Sequence, residues 1–119
     1  MFKLDLKDKV ILITGGSDGL GFASAKLLSH EGAKIIICGR RGDYLKEKAN
    51  IIREETGNLV LDIVCDVTKP EECKSLVEQT ISNFKSIDVL VNNAGTSAAA
   101  GFEEVSDKAW EDDINLKLM

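Results

Sequence analysis

Three glycines in this chain could hold a phosphate because of where they stand. Gly15, Gly19 and Gly21 lie in Thr14-Gly15-Gly16-Ser17-Asp18-Gly19-Leu20-Gly21, a G-x-x-x-G-x-G spacing. The run follows the apolar segment Val10-Ile11-Leu12-Ile13 and opens a helix-like segment, Leu20 to His30. Gly15 has no Cβ and can turn the chain sharply off a strand. Gly19 and Gly21 leave room for a phosphate beside the backbone and for the helix to sit close to a sheet. The first helical turn then aims unpaired N–H groups, and the positive end of its dipole, at that phosphate. A plain structural turn is the alternative. The strand before and the helix after favour a dinucleotide site.

Two further motifs follow in order. Asp66-Val67 ends a third apolar run, and Ile87-Asp88-Val89-Leu90-Val91 leads into Asn92-Asn93-Ala94-Gly95. The T-G-x-x-x-G-x-G turn, the Asp-Val pair and N-N-A-G together resemble the short-chain dehydrogenase/reductase family, over the whole chain. The resemblance implies a Rossmann-like α/β fold, a nicotinamide dinucleotide, and hydride transfer between an alcohol and a carbonyl compound. In that family a Ser and a Tyr-x-x-x-Lys lie after N-N-A-G, on a fifth strand and the helix behind it. This chain ends at Met119. The resemblance therefore implies the N-terminal, cofactor-binding half of a reductase, inactive without the remainder.

The elements that must position these residues alternate. Strands are expected at Val10–Thr14, Lys34–Cys38, Leu59–Cys65 and Ile87–Val91. A helix from Leu20 to Glu31 would turn Leu20, Ala23, Leu27 and Leu28 inward, and Gly32 would end it. A second, Tyr44 to Glu55, would bury Leu45, Ala49 and Ile52 before Gly57. A third carries the cleanest period, at Cys73, Leu76, Val77, Thr80, Ile81 and Phe84, with Thr68 and Glu71 as a capping box. A fourth would start near Ser106-Asp107 and run to the end of the chain. Such alternation implies right-handed crossovers and a doubly wound parallel sheet. The expected strand order is 3-2-1-4, lacking the later strands of the family, with residues 1–119 forming a single domain. The switch point then falls between strands one and four, where a dinucleotide belongs. Strand four would be left as an open edge, which invites pairing with a second copy of the chain.

Composition narrows the alternatives. With 15 Lys and Arg against 20 Asp and Glu, the net charge of −5 argues against a nucleic-acid surface. Hydrophobic residues make up 44% and aromatics 5%, so the core should be aliphatic. Three cysteines without C-x-x-C spacing and one histidine do not make a zinc site. Cys38 and Cys65 read instead as small apolar residues closing buried strands. The charged start of the chain is unlike a signal peptide, and no run reaches the length of a membrane span. A reducing, cytoplasmic setting follows from that pattern.

Cofactor choice rests on the end of the second strand. An acid there would pair with the ribose hydroxyls and repel a 2′-phosphate. The chain has Cys38-Gly39-Arg40-Arg41 instead. Arg40 can hold a phosphate in a bidentate fork, which points to NADP over NAD. An ordinary solvated arginine pair is the alternative. Asp18 opposes the NADP reading, because NADP-preferring members of the family often carry a cation there. The resemblance implies cofactor contacts at Gly15, Ser17, Asp18, Gly19, Leu20, Gly21, Arg40, Arg41, Asp66, Val67, Asn93, Ala94 and Gly95. Asp66 would accept from the adenine amino group, or else serve only as a helix-entry turn residue. The N-N-A-G loop would brace the sheet and line the ribose. Asn115 resembles the family's catalytic asparagine, which holds a water beside the lysine, but a polar residue on a helix face is the alternative. Tyr44 and Lys48 also satisfy Tyr-x-x-x-Lys, and helical spacing puts them on one face. Their place at the adenosine end is wrong for catalysis. His30 reads as a surface residue at a helix end. A non-catalytic nucleotide-binding or interaction module is the competing reading for the chain as a whole.

Overall fold

A computed structural model describes residues 5–15, 19–92 and 117–118. Along the chain lie β1 (Val10–Thr14), α1 (Gly19–His30), β2 (Lys34–Gly39), α2 (Gly42–Thr56), β3 (Val60–Val64), α3 (Pro70–Phe84), β4 (Val89–Asn92) and β5 (Lys117–Leu118). The strands form one sheet in the order β3-β2-β1-β4-β5, and every pairing is parallel. The all-apolar runs of β1 and β2 account for their central places. Each is covered on both faces, which suits a run without polar alternation.

Alternate residues of the strands point to opposite layers. Leu12, Ile36 and Leu90 pack with Cys73, Leu76 and Val77 of α3. Ile11, Ile13, Ile35 and Ile37 pack with Ala25 of α1 and with Leu45, Ala49 and Ile52 of α2. The inward faces expected for α2 and α3 are those observed. Among the described residues no helix is long and apolar enough to cross a membrane.

Helix α1 departs from expectation. Its buried residues are Gly21, Ala25 and Ser29, while Leu20 and Leu27 are 78% and 64% exposed. Gly21 sets the phase. Small residues at i, i+4 and i+8 form its buried line, which turns Leu20 and Leu27 out while Leu28 packs partly buried against the core as expected. The capping box is also displaced. Lys69 occupies the N-cap of α3 without a side-chain cap, and Pro70 opens the helix. Pro suits that place because its missing N–H would have had no helical partner.

Two corrections concern β4. The strand begins at Val89, not Ile87, because the Asp88 carboxylate accepts from Val10 N at 2.8 Å while Asp88 N donates to the Val10 carbonyl. Its outer side is not wholly open, and the sheet does not stop at four strands. Lys117 and Leu118, expected within a helix, pair with Val89 and Leu90. Unpaired strand groups are a ready template for such addition.

Candidate dinucleotide-binding site

Parallel pairing brings the ends of the strands to one edge. Thr14 is level with Cys38 on one side and Asn92 on the other, and Gly39 is level with Val64. The chain leaves that edge through Gly15, through Arg40 and Arg41, and through Asp66 and Val67. Thr14 ties the middle of it together. Its hydroxyl donates to Asn92 Oδ1 at 3.2 Å, and Gly15 N donates to the Cys38 carbonyl at 3.1 Å.

The glycine turn has the backbone that its residue types predict. Gly15 has φ 64° and Gly19 has φ 51°, both in the left-handed region that side chains disfavour. Gly19 is the first residue of α1, and a Cβ built on it meets no heavy atom within 4 Å. Open space in front of a helix N-terminus is where an anion is stabilised by N–H groups and dipole together. Gly21 is buried against the sheet, as close packing of this helix requires. Leu20 is exposed beside it.

Arg40 and Arg41 are both exposed at the end of β2, where the sequence carries no acid between Cys38 and Gly42. Arg40 lies near enough to Asp66 to help hold its carboxyl below the usual range. The larger causes are hydrogen bonds from the hydroxyl and amide of Thr68. Those bonds are 2.6 and 3.0 Å long and both fall on Asp66 Oδ1, leaving Oδ2 without a hydrogen bond among the described residues. Asp66 thus closes its own turn with one oxygen and presents the other.

Two residues set this corner: Glu72, not singled out from sequence, and Cys73, expected only as a buried helix residue. Glu72 Oε1 accepts from Asp66 N at 2.9 Å, a task expected of Glu71 in a different geometry. Cys73 donates to the Val67 carbonyl at 3.3 Å. The signal for Glu72 was its place one turn into a helix that follows Asp-Val-Thr, and the capping-box pattern drew attention one residue too early.

The three thiols are free and buried beneath this corner. Cys38 is buried near the end of β2 as expected, whereas Cys65 is buried one residue past β3, a strand only partly buried. The contact with Cys65, and then burial, push the Cys38 thiol up. Burial raises Cys73 to about 12. All three belong to the packed floor of the site.

Other sequence-predicted residues fall elsewhere. Ser17 and Asp18 of the glycine turn, Asn93, Ala94 and Gly95 of N-N-A-G, and Asn115 lie outside the described residues. Lys48 Nζ sits 5.2 Å from the Tyr44 ring centroid, so in this pair the ammonium faces the ring. His30 is on the surface, 3.8 Å from Glu55.

An α/β sheet with this order and a left-handed glycine turn at its switch point defines a nucleotide-binding fold of the Rossmann type. The sequence model for short chain dehydrogenases matches residues 9–119, and the chain belongs to that family. It is 38% identical over 116 residues to an uncharacterised oxidoreductase of Staphylococcus saprophyticus, covering 96% of this chain and 50% of that protein. It is 35% identical over 113 residues to the 3-oxoacyl-[acyl-carrier-protein] reductase of Chlamydia trachomatis, covering 95% and 46%. Among solved structures, L-sorbose reductase from Gluconobacter frateurii, complexed with NADPH and L-sorbose, superposes with a TM-score of 0.74 at 42% identity. That match covers 78% of this chain and 36% of the reductase. An NAD+-bound xylitol dehydrogenase superposes with a TM-score of 0.73 at 33% identity, over 78% and 35%. The chain spans about half the length of the curated relatives it matches.

Proposed function

We propose that this chain is the cofactor-binding half of an NADP-dependent oxidoreductase that moves hydride between an alcohol and a carbonyl compound. The observation that carries the cofactor choice is the end of β2. Arg40 and Arg41 follow that strand at the sequence position where an acid would favour NAD, on the same edge as the two left-handed glycines. A bound nicotinamide dinucleotide supplies or accepts the hydride. The protein's own groups bind and orient it. Gly19 and the first turn of α1 take the pyrophosphate. Arg40, with Arg41, takes the 2′-phosphate through charge-assisted bonds. Asp66 Oδ2 accepts from the adenine amino group. The N-N-A-G loop, with Asn93, Ala94 and Gly95, lines the ribose, and Asn115 belongs to the catalytic group. The proton that accompanies the hydride is handled by the Ser and Tyr-x-x-x-Lys of the family's second half. The relatives named above point the same way in part: one is complexed with NADPH and another with NAD+.

Calorimetric titration with NADP and NAD tests the cofactor choice. NADP is expected to bind more tightly. Arg40→Ala should weaken NADP about tenfold or more and leave NAD unchanged, since a charge-assisted hydrogen bond contributes roughly 1.5–3 kcal/mol. Equal affinities in the unmodified chain would remove the NADP assignment.

A further inference from the structure

Tyr44 and Lys48 are not used by the site as described, yet they stand next to it. The guanidinium carbon of Arg41 lies 4.3 Å from the centroid of the Tyr44 ring, and Lys48 Nζ lies 5.2 Å from the same ring. Lys48 Nζ is also 4.7 Å from the ring of Phe22 on α1. Two cations therefore gather on one aromatic side chain, directly after the loop that carries Arg40. Side by side in water they would repel, and the negative face of the ring offsets that repulsion. Arg41 is also the N-cap residue of α2, and no side chain caps that helix. A cation is unfavourable beside the positive end of a helix dipole unless something else holds it there. The ring of Tyr44 contributes to holding it, and Asp43 in the first turn of α2 tempers the local charge. The same concentration of positive potential suits a doubly charged phosphate monoester.

We infer that Tyr44 is a positioning residue for phosphate discrimination: its ring holds Arg41, with Lys48 alongside, at the 2′-phosphate end of the dinucleotide site. The inference rests on the NADP reading above. An unrestrained arginine loses rotamer freedom when it grips a ligand, whereas a stacked one has already lost part of it. The contacts with Arg41 and Lys48 are made by the ring, which separates the role from any acid–base function of Tyr44.

The test is calorimetry on the 119-residue chain with four probes: NADP, NAD, 2′,5′-ADP and 5′-AMP. Tyr44→Leu is expected to weaken NADP and 2′,5′-ADP about two- to fivefold, the strength of an exposed cation–π contact, and to leave NAD and 5′-AMP unmoved. Tyr44→Phe should match the unmodified chain, because it keeps the ring. Arg41→Ala combined with Tyr44→Leu should cost no more than Arg41→Ala alone. Thermal melting of each variant reports whether it folds, and the Phe variant keeps the test open if the Leu variant does not. Tighter binding of NADP than NAD that Tyr44→Leu leaves untouched would overturn this inference and spare the cofactor reading. So would additive losses in the double variant. Equal binding of NADP and NAD by the unmodified chain would overturn both.

Discussion

At the amino ends of the strands, polar side chains bond to the protein itself. At the carboxyl ends only some do, as Thr14 and Glu72 do, and others face solvent. Asp88 bonds the buried start of β1. Arg53 joins α2 to β3 with bonds of 2.8 Å to the Val60 carbonyl and 2.9 Å to Asp62. Ser29, Thr56 and Asn58 link the ends of α1 and α2 through a 2.8 Å hydroxyl pair and a 2.7 Å bond from the Asn58 amide to the Ser29 carbonyl. The opposite edge has two left-handed glycines, two exposed arginines and a carboxylate with one open oxygen. One edge is built to close the fold and the other to meet a ligand, as expected where ligands sit at strand carboxyl ends. Substitutions at the two edges should therefore separate stability from binding.

The largest effect is expected at Gly19. Valine there faces two obstacles: a β-branched side chain is strained at φ 51°, and its methyl groups would occupy the space in front of α1. Gly19→Val should abolish calorimetric binding of NADP and NAD alike. Affinity retained within about tenfold, or 1.4 kcal/mol, would mean that the phosphate lies elsewhere.

Asp88→Ala should show the reverse pattern. It leaves the N–H of Val10, a buried residue, without its carboxylate, at a cost of about 1.5–3 kcal/mol for a bond to a charged group. For a domain near this size that lowers the melting midpoint by about 4 °C or more per kcal/mol. The ratio of NADP to NAD affinity should not move. A changed ratio with an unchanged midpoint would erase the distinction between the edges.

The same contrast explains what the sequence revealed. Strand order and the edge holding the motifs could be read because long apolar runs, helical periods and glycine spacing are local signals, and parallel topology converts them into one site. The staples could not be read. Asp88 meets Val10 across 78 positions, and nothing near either residue announces the other. The phase of α1 was missed because large leucines were taken to mark the buried face. The buried line of the helix is Gly21, Ala25 and Ser29, and Ser29 meets Thr56 of α2. Glu72 was missed because the capping pattern fits Thr68 and Glu71, whereas the turn closed by Asp66 brings Glu72 to the Asp66 amide.

A smaller effect should appear in alkaline solution, beneath the site. Burial raises the Cys73 thiol from 9.0 to about 12 in the folded chain. The folded state then holds a proton that the unfolded state releases, so this thiol's contribution is complete below pH 9 and declines between 9 and 12. Chemical denaturation over that range should show stability falling with pH. Cys73→Ala, though less stable at neutral pH, should flatten the slope. An equally steep slope in that variant would assign the effect to other groups.

The smallest effect is expected from Thr68→Val, at the exposed end of the ligand-facing edge. The Thr68 hydroxyl, 2.6 Å from Asp66 Oδ1, is the largest cause of the lowered carboxyl, and the amide of residue 68 remains after the substitution. The Asp66 carboxyl should therefore titrate closer to its ordinary value of 3.8, yet still below it, as followed by carboxyl-carbon magnetic resonance. A lowered carboxyl adds stability that is present above the unfolded pKa and is lost as pH falls through the folded one. The substitution should thus trim stability only slightly at neutral pH, far less than Asp88→Ala does. Because the bond constrains the turn that presents Oδ2, NADP and NAD should weaken together, with their ratio held. A midpoint loss as large as that of Asp88→Ala would show that Asp66 belongs with the staples that close the fold. A loss confined to NADP would place Asp66 at the 2′-phosphate and not at the adenine.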